Sequence, residues 1–464
     1  MVSVLATITW YLFLVVALWG FQRLTRCFTQ LNIFTICIGF LLLRHGVTVP
    51  FDDAVNQWYA NIYLSGHTLR RFYTALVIMW LCLLAGVWVG RRCFGSGVLN
   101  PKAFHKEVTS GPLPTGMNVP LFLAFVAGGV GLITFYQLLS SQVSFVQLLS
   151  GQLTSTDYRE MRDTFGEATH YTVSVGQRLA SIVRFGLLPF FIATLYFLSR
   201  RGLVWRAMFL FVLGLGLAVG LLSGQKTAAV ILIADVALAV YLRRGQLRVG
   251  TWNKPAWGFA VFVWFVASPY LYHLQYPDQD YSWLLRATSH RMTSEYDRSL
   301  QLYFEIYPDV QPHLYGRSSS LINAVLGVSI PYDLLPERFI PTYYLGSGYL
   351  NTWSACFVGV AWADFGYAGV VAESIAVGFL LQAYAAWFRR ARKTALVMGT
   401  QVGLMIATTR LSEVALTASL LSFGLLSGFL VSWLVGVPTL QTVRQRERLA
   451  VLAEQHVRGV HSGA

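Results

Sequence analysis

The chain has 464 residues, 55% hydrophobic and 12% charged, with a formal net charge of +14 at pH 7. Its apolar runs exceed what a water-soluble core requires and place it among membrane proteins. Five cysteines, an odd number, argue against a disulfide framework, and no Cys and His spacing suits a structural zinc site.

The first apolar run, Val4 to Gly20, lacks the basic start and small-residue cleavage pattern of a secretory signal, and further spans follow it. It is expected to be a retained helix. At roughly 20 apolar residues per crossing, spans are expected near 3–22, 30–48, 70–90, 118–140, 175–199, 204–222, 227–242, 255–272, 367–388, 395–411 and 415–436. The fold class is therefore an all-α polytopic membrane protein with about eleven transmembrane helices.

Alternate connections are rich in basic residues: Arg23 and Arg26; Arg91, Arg92, Lys102 and Lys106; Arg200, Arg201 and Arg206; Arg243, Arg244, Arg248 and Lys254; Arg389, Arg390, Arg392 and Lys393. Such connections stay in the cytoplasm, which puts the N-terminus outside and the C-terminus inside. The positive charge then faces anionic lipid, and nucleic acid is not implied as a partner.

Four parts follow: helices 1 to 8 over 1–272 with an outward loop at 141–174, a long outward loop over 273–366, helices 9 to 11 over 367–436, and an inward tail over 437–464. The long loop is rich in Tyr and Trp, which argues for order. Within it SEYDRSLQLYFEI, 294–306, reads as a helix capped by Ser294, with Leu300, Tyr303, Phe304 and Tyr307 at helical spacing. The stretch 334–349 is turn-rich. The segment 351–365 is apolar but too short to span, so a re-entrant or surface-lying helix is expected there. No internal repeat or low-complexity tract occurs.

The stretch VGLLSGQKTAAVILI approaches a phosphate-cradling loop, but Gly220, Gly224 and Lys226 miss the required spacings and no strand precedes them. Lys226 instead falls at a tight outer turn, where a lysine snorkelling to the interface is the plain reading. Arg184 inside the fifth span and Arg410 at the outer end of the tenth join it as cations at membrane depth. Either they pair with Asp235, Glu373 or Glu413, or they converge on an anionic ligand such as a lipid diphosphate, which suits guanidinium donors. Glu295 and Asp297 lie beside Arg291 and Arg298, as a self-paired solvated face or as a general base near an anion clamp. Tyrosines with an apolar face and a polar tip suit a sugar-lined cleft as well as they suit a core.

Four segments, SGQKTAAVILIA, SHRMTSEYDRSLQL, YLGSGYLNTWSACFVGVAWADFGYAG and ATTRLSEVA, resemble in order and character those of the oligosaccharide repeat unit polymerases, the Wzy-type O-antigen and enterobacterial common antigen polymerases. The resemblance covers about half the chain and departs from the family at Lys226, where the family tends to have Arg. It implies a multi-pass protein of a bacterial inner membrane whose long loop is periplasmic. The implied reaction moves a growing glycan from its polyprenyl diphosphate carrier to a hydroxyl of another lipid-linked repeat unit.

That reading makes Asp297 the first candidate base, with Asp364, Glu295 and Glu413 behind it. Arg291, Arg410, Lys226, Arg184 and Arg317 become the candidate diphosphate clamp, and Tyr296, Tyr344 and Tyr349 the candidate sugar contacts. No compact acidic pattern suits a divalent metal, so metal-independent, cofactor-free transfer is expected. Expected partners are polyprenyl-diphosphate-linked oligosaccharides and membrane lipids, with a chain-length regulator and a flippase of the same pathway. A lipid-linked oligosaccharide ligase, a polysaccharide or lipid transporter and an export scaffold are the alternatives. The lack of repeated halves weighs against transport.

Overall fold

The computed structural model describes residues 4–47, 64–139, 179–222, 226–248, 265–266, 268–273, 278–293, 295–318, 334–345, 353 and 355–436. Among them the chain is helical, without strands, and carries one isolated bridge between Gln30 and Arg248.

In chain order the helices are α1 (Val4–Thr25), α2 (Ile33–His45), α3 (Gly66–Phe94), α4 (Pro101–Thr109) and α5 (Val119–Leu139). Next come α6 (Leu188–Leu198), entered through a π-helical turn at Ile182–Leu187, then α7 (Leu203–Leu222) and α8 (Lys226–Arg243). The segments that follow are α9 (Ser268–His273), α10 (Tyr281–Thr293), α11 (Glu295–Ile306) and α12 (Pro336–Leu345). The last part holds α13 (Phe357–Arg390), α14 (Ala395–Thr408) with a 3-10 turn at Thr409–Ser412, α15 (Leu416–Leu421) and α16 (Ser427–Gly436).

Among the described residues five helices are long and apolar enough to cross a membrane: Leu5–Thr25, Gly66–Phe94, Leu179–Arg201, Leu203–Gly220 and Phe357–Arg390. Leu5, Leu12, Val15, Val16 and Trp19 on α1, Leu203, Val204, Leu210 and Phe211 on α7, and Trp433 on α16 are exposed. An apolar surface of that extent needs lipid, not water, as its neighbour. The chain is a multi-pass helical membrane protein.

Three expected elements differ. The stretch expected to be turn-rich at 334–349 carries α12, Pro336–Leu345, which accommodates Pro341 inside it. The single span expected over 415–436 is broken into α15 and α16. Gly424, at φ 98°, sits between them with its backbone against Gly186, an approach that only glycines on both sides permit. The short helix expected at 351–365 and the span from 367 are the two arms of α13, which meet at Gly366 with φ 58° and ψ −142°. The span expected at 255–272 lies largely outside the described residues, as do the loop at 141–174, Ser294 and the tail at 437–464.

Capping fixes where the chain enters several helices. Asn32 Oδ1 accepts from Phe34 N at 2.9 Å and Thr35 N at 3.1 Å while Thr35 Oγ1 accepts from Asn32 N at 3.0 Å, a reciprocal cap on α2. Ser65 Oγ accepts from Thr68 N at 3.1 Å to open α3. The central seam joins α3 to α13, and a Cβ on Gly86 or Gly378 would collide with the facing backbone carbonyl of Ile375 or Leu83. Small residues at such a seam let helices meet without a water-driven hydrophobic effect.

The two ends of the bundle differ in charge. At one end Arg91 donates to Leu24 O at 3.2 Å, Arg389 to Ser96 O at 2.8 Å and Arg201 to Leu113 O at 3.0 Å, so basic connections cross-brace each other. At the other end α11 is wedged among the C-terminus of α2, the N-terminus of α3 and the first arm of α13. Its Leu300, Tyr303, Phe304 and Tyr307 are fully buried, as helical spacing predicts. Phe304 packs on Trp362 with ring centroids 4.6 Å apart, and Trp362 Nε1 donates to Tyr307 O at 2.9 Å. α1 grips the same end: Trp10 Nε1 donates to Gly46 O at 2.8 Å and Tyr11 Oη to Val47 O at 2.7 Å.

Candidate functional site

Three short pieces of chain converge at the α11 end: the last turn of α2, the start of α11, and the 3-10 turn that follows α14. The first and last of these end apolar helices with polar residues, the second opens a helix with them, and each puts its polar groups against the others. His45 Nδ1 lies 2.7 Å from Asp297 Oδ1 and its Nε2 lies 2.9 Å from Ser412 O. Arg44 Nη1 donates to Ser412 Oγ at 3.1 Å and meets Glu413 Oε1 at 2.6 Å. Arg410 Nη1 meets the second oxygen of the same carboxylate, Glu413 Oε2.

Glu413 thus bridges two guanidiniums. Burial alone would push its carboxyl up, but Arg410 and Arg44 outweigh that and hold it below the ordinary glutamate value. The His45 and Asp297 side chains are 0% exposed, those of Arg44, Glu413 and Arg410 7%, 9% and 11%. The network is closed at the histidine and reaches the surface at Arg410.

Aromatic rings extend it. The Arg410 guanidinium lies over Phe423 at 5.1 Å, Phe423 contacts Phe185 at 5.7 Å, and Arg184 lies over Phe185 at 5.3 Å. Arg184 sits in the π-helical turn, donates to Val219 O at 3.4 Å, and lines a pocket with Phe185, Leu188, Gly216, Ile231 and Leu232. π-Turns of this kind concentrate at functional sites.

Of the residues singled out in the sequence, Asp297, Glu413 and Arg410 belong to the network, and Arg184 adjoins it through the two phenylalanines. Asp297 is enclosed against His45, and Arg298 beside it is buried and donates to Gln301 Oε1 at 3.1 Å, so these two residues do not lie on a solvated face. Asp364 belongs to a separate cluster: at the end of the first arm of α13 it accepts from Ser318 N at 3.2 Å and from Ser318 Oγ. Arg317 is exposed beside it. Burial pushes the Tyr344 phenol up to about 12.

Lys226 opens α8, Arg291 lies in the last turn of α10, and Glu295 and Tyr296 open α11, but their side chains lie outside the described residues, as does Tyr349 altogether. The pairing of Arg410 with an acid is present, through Glu413. The other acids offered as partners stand apart: both Asp235 oxygens and Glu373 Oε2 are enclosed without a hydrogen-bond partner among the described residues.

Three participants carry no signal of their own in a residue count. Arg44 is one of many outward basic residues, His45 is a lone histidine, and Ser412 enters partly through its carbonyl. The available signal is LLLRHG, where an apolar helix closes on two adjacent polar residues rather than on glycine alone. Among the described residues no group of three or more His, Cys, Asp or Glu is gathered to hold a metal ion.

No family model matches the chain, and neither a curated protein nor a solved structure matches it.

Proposed function

We propose that the chain is a membrane glycosyltransferase, an oligosaccharide repeat unit polymerase. In this reading it passes a growing glycan from polyprenyl diphosphate to the hydroxyl of another lipid-linked repeat unit on the outer face of a bacterial inner membrane. The observation that carries the reading is the paired guanidiniums of Arg44 and Arg410 around one carboxylate, at the end of the bundle opposite the basic connections. The positive-inside rule makes that end the outer one, with about eleven crossings in total and the N-terminus outside.

Two forked cations at a membrane surface suit the leaving diphosphate, whose oxygens gain charge as the sugar departs. Arg184, Arg291, Arg317 and Lys226 are the further candidates for that clamp. Asp297, enclosed against His45, supports the turn that carries Arg410, and the base is proposed among the carboxylates nearer the surface, Glu413 and Asp364. Tyr296, Tyr344 and Tyr349 remain candidate sugar contacts. Charge neutralisation by arginines requires no metal ion.

The test is reconstitution of the purified protein in liposomes with polyprenyl-diphosphate-linked repeat units. A ladder of lengthening glycans, insensitive to a chelator, is the expected product. Lipid that changes leaflet without longer glycans would refute the reading in favour of transport, and activity lost to a chelator and restored by magnesium would refute the metal-free chemistry.

A further inference from the structure

Gly366 breaks α13, and the carbonyls at the end of a helical arm need donors from elsewhere. The turn after α11 supplies them: Leu314 N donates to Ala363 O and Tyr315 N to Asp364 O, both at 2.9 Å. Ser318 then closes the turn onto the Asp364 side chain, its N donating to Oδ1 at 3.2 Å and its Oγ donating to Oδ2. One serine thus fills both oxygens of a buried carboxylate.

The same turn presents an aromatic ring under strain. Tyr315 has φ 53°, a left-handed conformation that a bulky residue keeps only where its surroundings impose it, and Gly316 follows at φ 84°. Its side chain is exposed beside Asp364, and Phe365 and Tyr367, on either side of Gly366, are exposed as well. Tyr367 is braced edge-on by Trp362, with ring centroids 4.8 Å apart. Burial first, and then Glu337 and Asp364, push the Tyr307 phenol up, so it keeps its hydrogen, yet its enclosed Oη finds no hydrogen-bond partner among the described residues.

From this we infer that Asp364 is the floor of a sugar site, that Tyr315, Phe365 and Tyr367 are its walls, and that Ser318 fills the place of a vicinal diol. A carboxylate only accepts, so its ligand must bring donors, and two adjacent hydroxyls of a pyranose bring two O–H groups where Ser318 brings an N–H and an O–H. The exchange is neutral for neutral, and Asp364 has two donors before and after it. Only Ser318, at the end of the turn, has to move. The C–H face of the sugar ring then lies against rings that combine an apolar face with a polar tip.

An anion would be repelled by Asp364, so this site and the paired arginines of Arg44 and Arg410 take different parts of one molecule. On the polymerase reading, on which this assignment rests, Asp364 holds a sugar of the lipid-linked repeat unit and the arginines hold the diphosphate of its carrier.

The experiment is a saturation-transfer NMR titration of the full-length protein in nanodiscs with the methyl glycosides of glucose, galactose and mannose, and with counterparts lacking the 3-hydroxyl, in which no two hydroxyls are adjacent. At least one glycoside should receive saturation, and its deoxy counterpart should bind about tenfold more weakly or worse, having lost a hydrogen bond to a charged group. Tyr315→Ala should weaken binding about two- to tenfold. Ser318→Ala, which frees one Asp364 oxygen, should tighten it about threefold or more.

If Ser318→Ala does not fold, Tyr315→Ala, which removes an exposed ring, carries the test. Absence of transfer to all three glycosides, equal binding of the deoxy compounds, or unchanged binding in either folded variant would overturn the inference and leave the three rings as anchors at the membrane interface. The titration involves neither carrier lipid nor transfer, so glycoside binding as expected without glycan ladders would sink the polymerase reading alone. Ladders from a protein that binds no glycoside in this way would sink this inference alone.

Discussion

His45 Nδ1 and Asp297 Oδ1 stand 2.7 Å apart with neither side chain exposed, so the start of α11 is tied to the end of α2 inside the protein. Through His45 Nε2 the tie continues to the Ser412 carbonyl, and so to the turn that carries Arg410 and Glu413. One imidazole aligns three segments far apart in sequence.

Asp297→Ala, which leaves the buried imidazole facing nothing, should therefore destabilise the fold by about 3–5 kcal/mol. Asp297→Asn preserves the shape and can still hydrogen-bond Nδ1, so it should cost clearly less. Thermal unfolding in detergent measures both, and equal losses in the two variants would count against the tie.

Acid should weaken the protein partly through Glu413. Its folded-state value lies below the unfolded value of about 4.3, so the stabilisation is complete above that pH and is lost as pH falls through the lower folded value. Unfolding temperature followed from pH 6 to pH 3 should drop less steeply in Glu413→Gln than in the unsubstituted protein. Parallel curves would show that the carboxylate does not report on that range.

Arg71 forks onto Asp309 with contacts of 2.7 and 3.2 Å, joining the start of α3 to the chain after α11, but the Asp309 side chain is 53% exposed. The hydrogen bonds from Arg71 hold the Asp309 carboxyl below its ordinary value. Solvent screens such a pair, and Asp309→Asn should cost less than about 1 kcal/mol and less still at high salt. A loss several times larger would show that the loop depends on it.

The α3–α13 seam is less forgiving. Gly378→Val would drive a branched side chain into the Leu83 carbonyl, and overpacking of this kind costs about 1–3 kcal/mol or more. Loss of monodisperse protein on size exclusion is the expected signature, while Gly39→Ala, whose added Cβ would meet no packing neighbour within 4 Å, should be silent.

Topology can be read by thiol labelling. Cys93 is exposed at the basic end and Tyr315 is 71% exposed near the site end. With Cys93 the only thiol, an impermeant maleimide should react only after the membrane is opened; with Tyr315→Cys the only thiol, it should react with intact cells from which any outer membrane has been removed. Reversal of the two would invert the orientation.

Much of this architecture was legible because burial leaves a period. Leu300, Tyr303, Phe304 and Tyr307 marked α11 by spacing alone, and Arg410 with Glu413 three residues later marked a charged turn at a helix end. The assembly of the site was not legible, since it depends on contacts between residues such as His45 and Asp297, 252 positions apart. Local pattern also does not distinguish a buried Asp297 from a solvated one, because the same acidic and basic neighbours suit both. The break at Gly424 escaped for a related reason: what forces it is Gly186, on another helix, and nothing in the surrounding apolar run signals that approach.

The grip of α1 on the chain just past His45 makes the bilayer itself part of the machinery. α1 shows lipid most of its length, yet Trp10 and Tyr11 fasten it to Gly46 and Val47. A helix so exposed answers a thinner or thicker hydrocarbon layer by tilting, and a tilting α1 pulls on the residues next to the arginine fork. On the proposed reading acyl-chain length should thus tune diphosphate affinity, and cutting both tethers, Trp10→Phe together with Tyr11→Phe, should weaken that dependence.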